Sequence, residues 1–103
     1  MMFTEQIKLL REQLHLPQRK LAEALDIDSA TYCKIERGER RVKREQVITI
    51  AQILKTDKED LLSLWLADQI TAVVANETSI AKKVLKIVDN TLDKTTYVKN
   101  KAI

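Results

Sequence analysis

The sequence predicts an all-α protein, and three observations support this class. The 103 residues include one glycine and one proline, so few positions force the backbone out of a helix. Apolar residues recur at intervals of three and four in successive segments, which is the spacing of one helical face. Aromatic residues make up only 4% of the chain, so the helices must pack mainly through aliphatic side chains.

Composition also limits the classes of function. One cysteine cannot form an internal disulfide, and no cluster of His and Cys predicts a metal site. Catalysis needs a nucleophile with a base, a metal site or a phosphate-binding loop, and a single His and a single Gly supply none of these. No apolar run approaches the roughly 18 residues of a membrane span, and no signal peptide is evident. We therefore expect a cytoplasmic protein that is not an enzyme, has no cofactor and does not enter a membrane.

The first predicted helix runs from about Thr4 to His15. Thr4 is a suitable N-cap, and Glu5 suits the positive end of the helix dipole. A stripe of four apolar residues at helical spacing gives this helix its inward face. These are Phe3, Ile7, Leu10 and Leu14.

Two short helices separated by a tight turn follow the break at Leu16-Pro17. The second helix covers Gln18 to Leu25, where the apolar residues share one face. Asp28 caps the third helix, because its carboxylate can accept from free amide groups of the first turn. The third helix ends near Arg37, before Gly38, where a left-handed residue costs least.

The outward side of the third helix carries only small or cationic side chains. At about 100° per residue, one side of the helix is formed by Ser29, Ala30, Cys33, Lys34 and Arg37. A helix with such a face, braced by a preceding helix, can enter a DNA major groove. Spacing alone is equally compatible with an ordinary helical pair whose outer face is solvated.

The run QRKLAEALDIDSATYCKIERGER resembles the helix-turn-helix of the phage-repressor (Xre-type) family of DNA-binding regulators. The matching features are Gln18, Leu21-Ala22, Leu25, Ile27, Ile35-Glu36 and Gly38, and the resemblance covers roughly Thr4 to Trp65. Two positions depart from the family pattern. Pro17 stands where a capping Ser is common, and Asp26 stands where Gly is common, so Asp26 must adopt an unusual backbone.

The resemblance implies a five-helix repressor-type helix-turn-helix domain with a C-terminal helical extension. It also implies that Gln18 contacts the DNA backbone and that Arg11 pairs with Glu36, tying the first helix to the third. Base contacts are expected from the outward residues near the start of the third helix, which are Ser29, Ala30, Cys33 and Lys34.

The basic run RGERRVKR follows the third helix directly, at residues 37–44. The net charge of +3 is too small to identify a nucleic-acid partner, but this placement is informative. A basic segment beside the third helix can follow one DNA strand and add affinity without sequence preference. We therefore predict phosphate contacts by Arg37, Arg40, Arg41 and Lys43.

Three further helices complete the prediction. The fourth covers about Arg44 to Leu54, with Val47, Ile50, Ala51 and Leu54 as its buried face. Asp57 caps a long fifth helix, and Asn76 or Thr78 caps a sixth that ends near Asn90. The predicted organisation is a DNA-binding domain at 1–66, a helical extension at 67–92 and a frayed tail at 93–103.

The apolar residues between Leu61 and Val88 exceed what one core-facing stripe needs. They complete the core of the monomer, or they form a self-association surface that includes Trp65, Ile70, Val73 and Val84. Regulators of the resembled type usually bind DNA as dimers, so we predict a repressor that binds double-stranded DNA as a homodimer at an inverted repeat. The alternative is an antitoxin-type interaction module whose C-terminal helices bind a partner protein.

Overall fold

All regular structure in the described part of the chain is helical, which confirms the predicted fold class. The structure is a computed structural model that describes residues 1–102, with side chains for residues 1–94. It divides into two compact units, Met1–Gln69 and Ile70–Ile103. The six helices are α1 (Met2–Gln13), α2 (Gln18–Leu25), α3 (Ser29–Glu36), α4 (Arg44–Ile53), α5 (Lys58–Val74) and α6 (Ala81–Ala102).

The core of the first unit is aliphatic apart from Phe3 and Tyr32. α2 packs against both α3 and α4, and α1 packs against α3. The predicted inward face of α4 is confirmed, because Val47, Ile50, Ala51 and Leu54 are each at most 2% exposed. Thirteen buried side chains form one cluster, with members from α1 to α5: Phe3, Ile7, Leu21, Ala22, Tyr32, Ile35, Val42, Val47, Ile50, Ala51, Leu54, Leu61 and Leu62.

The ends of α2 and α3 follow the local chemistry of the sequence. Asp28 caps α3 by accepting a hydrogen bond from the Thr31 amide at 2.7 Å. Asp26, where the resembled family often has Gly, has the left-handed conformation (φ 58°, ψ 44°) that the turn requires. Gly38 has φ 77° just after α3, which is the conformation expected of a glycine that ends a helix.

The first helix differs from its prediction at both ends. α1 begins at Met2, and Thr4 is not its cap, since the Thr4 hydroxyl donates to the carbonyl oxygen of Met1. The carboxylate of Asp68 in α5 accepts instead from the amides of Met2 and Phe3, at 3.1 and 2.8 Å. At the other end α1 stops at Gln13, and Leu14 is 37% exposed, so it is not a member of the buried stripe.

α6 also differs from its prediction. The chain forms turns between Ala75 and Ile80, so α6 begins at Ala81, after the predicted caps Asn76 and Thr78. Its backbone continues to Ala102, beyond the predicted end near Asn90. The predicted frayed tail covers residues 93–103, and most of its side chains lie outside the described residues. No helix in the described part is long and apolar enough to cross a membrane.

Candidate nucleic-acid interface

The four residues predicted to read bases lie on the outer side of α3. Ser29, Ala30 and Lys34 are exposed, whereas Cys33 is half-buried. On the opposite side of the same helix, Tyr32 and Ile35 are buried in the core at 0% and 2% exposure. The core therefore fixes which side of α3 faces outward. We call Ser29, Ala30, Cys33 and Lys34 the outward row.

A partly buried ion pair joins α3 to α1. The Arg11 guanidinium donates to both carboxylate oxygens of Glu36, at 2.6 Å from Nε and 3.1 Å from Nη2. The two side chains are only 12% and 3% exposed. The remaining Arg11 nitrogen, Nη1, donates to the carbonyl oxygen of Leu16 at 2.8 Å, so the pair also fixes the connection between α1 and α2. A bidentate pair of this kind restricts orientation as well as distance.

Gln18 belongs to the same cluster. Its Nε2 donates to Glu36 Oε1 at 3.1 Å, which links the start of α2 to the end of α3. The half-buried Gln18 side chain, predicted to contact a phosphate, thus already has a partner within the protein. We refer to Arg11, Gln18 and Glu36 as the Glu36 network; it holds α1, α2 and α3 together behind the outward row.

Burial and hydrogen bonding have opposite effects on Glu36. Burial alone raises the pKa of its carboxyl, but hydrogen bonds from Arg11 and Gln18 and the nearby Tyr32 hydroxyl bring that pKa below its usual value. Glu36 is therefore ionised at neutral pH. Burial is the main cause that raises the pKa of the Tyr32 hydroxyl, and the adjacent Glu36 raises that pKa further. The Tyr32 hydroxyl has no hydrogen-bond partner of acceptable geometry among the described atoms.

The basic segment, residues 37–44, is held against the core by one side chain. Val42 is only 8% exposed, while Arg40, Arg41, Lys43 and Arg44 on either side of it are exposed. Because Val42 is anchored, the charged residues next to it must project outward. Hydrogen bonds from Thr31 lower the pKa of the Asp28 carboxyl, and the positive charges of Lys34 and then Arg40 lower it further. One charge of the outward row and one of the basic segment therefore act on the residue that caps α3.

Arg37 and Lys43 have additional contacts. Arg37 Nε forms an exposed ion pair with Glu39 Oε2 at 2.9 Å, so a phosphate at Arg37 would compete with Glu39. The Lys43 amide donates to Gln46 Oε1 at 2.8 Å, which closes the first turn of α4 and leaves the exposed Lys43 ammonium group free of that contact. Within the described residues, no group of three or more His, Cys, Asp or Glu side chains could hold a metal ion.

The four residues predicted for self-association differ in their exposure to solvent. Ile70 and Val73 are 48% and 79% exposed, whereas Trp65 and Val84 are half-buried. Trp65 packs against the core of the first unit. The second unit exposes several large apolar side chains besides Ile70 and Val73, namely Ile80, Leu85, Ile87, Val88 and Leu92.

Sequence reasoning missed two residues and one hydrogen bond of this framework. Asp68 is the lone acid within the apolar run LLSLWLADQI, and Val42 is the lone apolar residue of the basic segment. An isolated residue of the opposite character in each run was the available signal. The bond from Gln18 to Glu36 had no comparable signal, because it joins residues 18 positions apart.

Comparison with protein-family models matches residues 7–61 to a family described as helix-turn-helix. The match covers just over half of the chain and includes α2 and α3 in full. Comparison with curated proteins and with solved structures gave no significant match.

Proposed function

The chain belongs to the Xre/Cro-like helix-turn-helix family of DNA-binding transcriptional regulators, and on that premise we propose that it is a repressor. In this proposal, two copies bind an inverted-repeat operator in double-stranded DNA. The outward row contacts bases, and Gln18, Arg37, Arg40, Arg41 and Lys43 contact phosphates. The protein acts in the cytoplasm, where its DNA is accessible.

One observation supports this proposal above the others. The outward row lies on a helix whose orientation is fixed by the partly buried Glu36 network, and an exposed basic segment adjoins it. Base reading requires side chains held in a defined register, whereas backbone binding requires exposed positive charge. Both requirements are met next to each other on one unit of the chain.

The residue types of the outward row suit a major groove. Ser29 and Ala30 are short, so the start of α3 can approach base edges closely. Lys34, one turn later, can donate to the O6 and N7 acceptors of guanine, and the Ala30 methyl can pack on a thymine methyl. Arg40 and Arg41 would then contact the flanking phosphates, which position the helix without specifying sequence.

Selection of bound sites from a random DNA pool tests the proposal. We expect the recovered sites to contain an inverted repeat whose half-sites are separated by about 34 Å, one helical turn. Recovery of sites without a shared sequence would overturn sequence-specific binding, and recovery of single half-sites would overturn the dimer. Transcription in vitro from a promoter that overlaps the selected site then tests repression, since an activator would raise the transcript level.

The antitoxin-type alternative is favoured by a different observation. The second unit exposes large apolar side chains that a partner protein could cover as well as a second copy could. The mass of the purified chain in solution, alone and with DNA, distinguishes these readings. A chain that is a homodimer alone and still has two copies per particle when bound to DNA supports the repressor. A chain that is monomeric under both conditions favours a different protein partner.

A further inference from the structure

One face of α6 presents a partly exposed apolar row. Ala81, Leu85 and Val88 recur at intervals of four and three, so they share a single face of the helix. Leu85 and Val88 are 41% and 40% exposed. Leu92 continues the row by four residues. Spacing of this kind is the seam of a helical pair, in which each apolar residue fits between side chains of a facing helix.

Charged residues flank this row in an uneven order. Lys82 and Asp89 each follow a member of the row by one residue, at the flanking positions where paired helices place interhelical salt bridges. Along the helix, Lys82 and Lys86 precede the middle of the row, while Asp89 and Asp93 follow it. All four are exposed, and no ion pair involves them within the described part of the chain.

Two of the charge pairs along α6 are unfavourable in an isolated helix, although Lys86 and Asp89, three residues apart, have opposite charges. Lys82 and Lys86 are four residues apart, as are Asp89 and Asp93, so like charges face each other along one side. Such pairs destabilise a helix. A neighbouring helix that carries the opposite order of charges would place an opposite charge beside one member of each pair.

A second copy of α6 has that opposite order when it runs antiparallel. In a two-fold pair, residue i faces residue j and residue j faces residue i, so each contact occurs twice. When Leu85 faces Val88 of the second copy, Lys82 and Asp89 of the other copy lie on the same flank of the pair. This flanking contact occurs twice, once at each end. A parallel pair would instead place Asp89 beside Val84 of the second copy, without a matching charge.

We propose that α6 pairs antiparallel with α6 of a second copy of this chain through the row Ala81, Leu85 and Val88. Lys82 of each copy forms an ion pair with Asp89 of the other, which sets the direction of the pair. This inference rests on the proposed homodimer and specifies the surface that forms it.

Two charge-reversal variants test the direction of the pair. In Lys82→Asp, residue 82 repels Asp89 of the other copy twice, and in Asp89→Lys, residue 89 repels Lys82 twice. We expect each variant alone to self-associate at least about tenfold more weakly than the unaltered chain at low salt. An equimolar mixture of the two should form heterodimers, because every contact then joins opposite charges. The double variant should regain self-association.

Sedimentation equilibrium measures these states, and Lys83→Asp is the matched control. Lys83 lies on the side of α6 away from the row, so its reversal should leave the dimer unchanged. Circular dichroism verifies that each variant keeps its helix content. Recovery of the dimer in the mixture and in the double variant supports the antiparallel pair.

The contrary outcomes separate this inference from the proposed function. An unaltered chain that stays monomeric at tens of micromolar, with and without its DNA site, overturns both the homodimer and the pairing of α6. An unaltered dimer that the reversals leave intact, or that the mixture fails to restore, overturns only the antiparallel pair. Salt provides a further check. High ionic strength screens the charges, so the single variants and the mixture should then associate with more similar affinity.

Discussion

Among individual residues, Glu36 and Lys34 have different roles on the same helix, α3. Glu36 is 8% exposed and accepts hydrogen bonds from Arg11 and Gln18, whereas Lys34 is exposed on the opposite side of α3. Substitution of either should weaken DNA binding, but through different quantities. Loss of Glu36 changes the stability of the fold, and loss of Lys34 changes the preference among DNA sequences.

Replacing Glu36 with Ala should lower the free energy of unfolding by about 3 kcal/mol, because the Arg11 guanidinium, whose side chain is only 12% exposed, then lacks its counter-charge. Urea denaturation at neutral pH measures this loss. Glu5→Ala is a suitable control, since Glu5 is exposed on α1. Equal stability of the two variants would contradict the role of the Glu36 network.

The pH dependence of stability provides a second test of Glu36. Its pKa in the folded chain is lower than the ordinary value of 4.5, so ionised Glu36 stabilises the fold above that pH. The stabilisation is lost as the pH falls through the folded-state pKa. Glu36→Gln should therefore be less stable than the unaltered chain at pH 7 and should lose less stability on acidification. Parallel curves for the two chains would contradict this assignment.

Replacing Lys34 with Ala should cost on the order of 1–3 kcal/mol of binding free energy at a selected site and much less on random DNA. The reason is that a base contact distinguishes sequences, whereas a phosphate contact does not. Fluorescence anisotropy with both DNAs measures the two affinities, and Lys8→Ala, at an exposed position of α1, is the control. Equal losses on both DNAs would make Lys34 a phosphate contact.

At the level of elements, the basic segment should supply affinity that depends on salt. Removing the charge of Arg41 should weaken binding to all sequences alike and reduce the slope of log affinity against log salt by about one unit. Titrations at several salt concentrations measure the slope, with Lys58→Ala at the start of α5 as a charge-matched control. An Arg41→Ala variant that loses preference for one base but keeps its slope would contradict the phosphate assignment.

Elements whose ends depend on neighbouring residues could be predicted from the sequence. Asp28, Asp26 and Gly38 define the turn and the limits of α3 through local hydrogen bonding and backbone preference. The family match confirms the resemblance that their pattern suggested. The start of α1 could not be predicted in this way, because Asp68 caps it from more than 60 residues away. Only packing of α5 in the first unit brings that carboxylate to the amides of α1.

The candidate site shows the same division. The outward row follows from helical periodicity, which places Ser29, Ala30 and Lys34 opposite the buried Tyr32 and Ile35. Helical periodicity does not predict that Glu39 competes with a phosphate for Arg37. That ion pair depends on how the chain bends after α3. The DNA contacts themselves stay predictions.

At the level of the whole molecule, DNA affinity should depend on self-association through the second unit. Replacing the exposed Ile70 with Asp should weaken the dimer while residues 1–69 stay folded, because a charge then enters the surface between copies. DNA binding should fall strongly, since two half-sites are no longer linked in one particle. Sedimentation and anisotropy measure the two effects, and Thr49→Asp in α4, outside the second unit, provides a control for an added acid. A dimer that survives Ile70→Asp would remove this residue from the interface.

The capping of α1 by Asp68 determines where this protein can be shortened. The family match ends at residue 61 and sequence patterning places the end of the DNA-binding domain at 66, so both limits would remove this carboxylate. A fragment of residues 1–66 leaves the Met2 and Phe3 amides without their acceptor, whereas a fragment of residues 1–69 keeps it. We expect the longer fragment to be more stable by about 1 kcal/mol, the usual effect of a helix cap, and Asp68→Ala to remove most of that difference. Thermal melting of the three fragments compares them. The contacts that complete α1 thus extend past the residues by which the family is recognised.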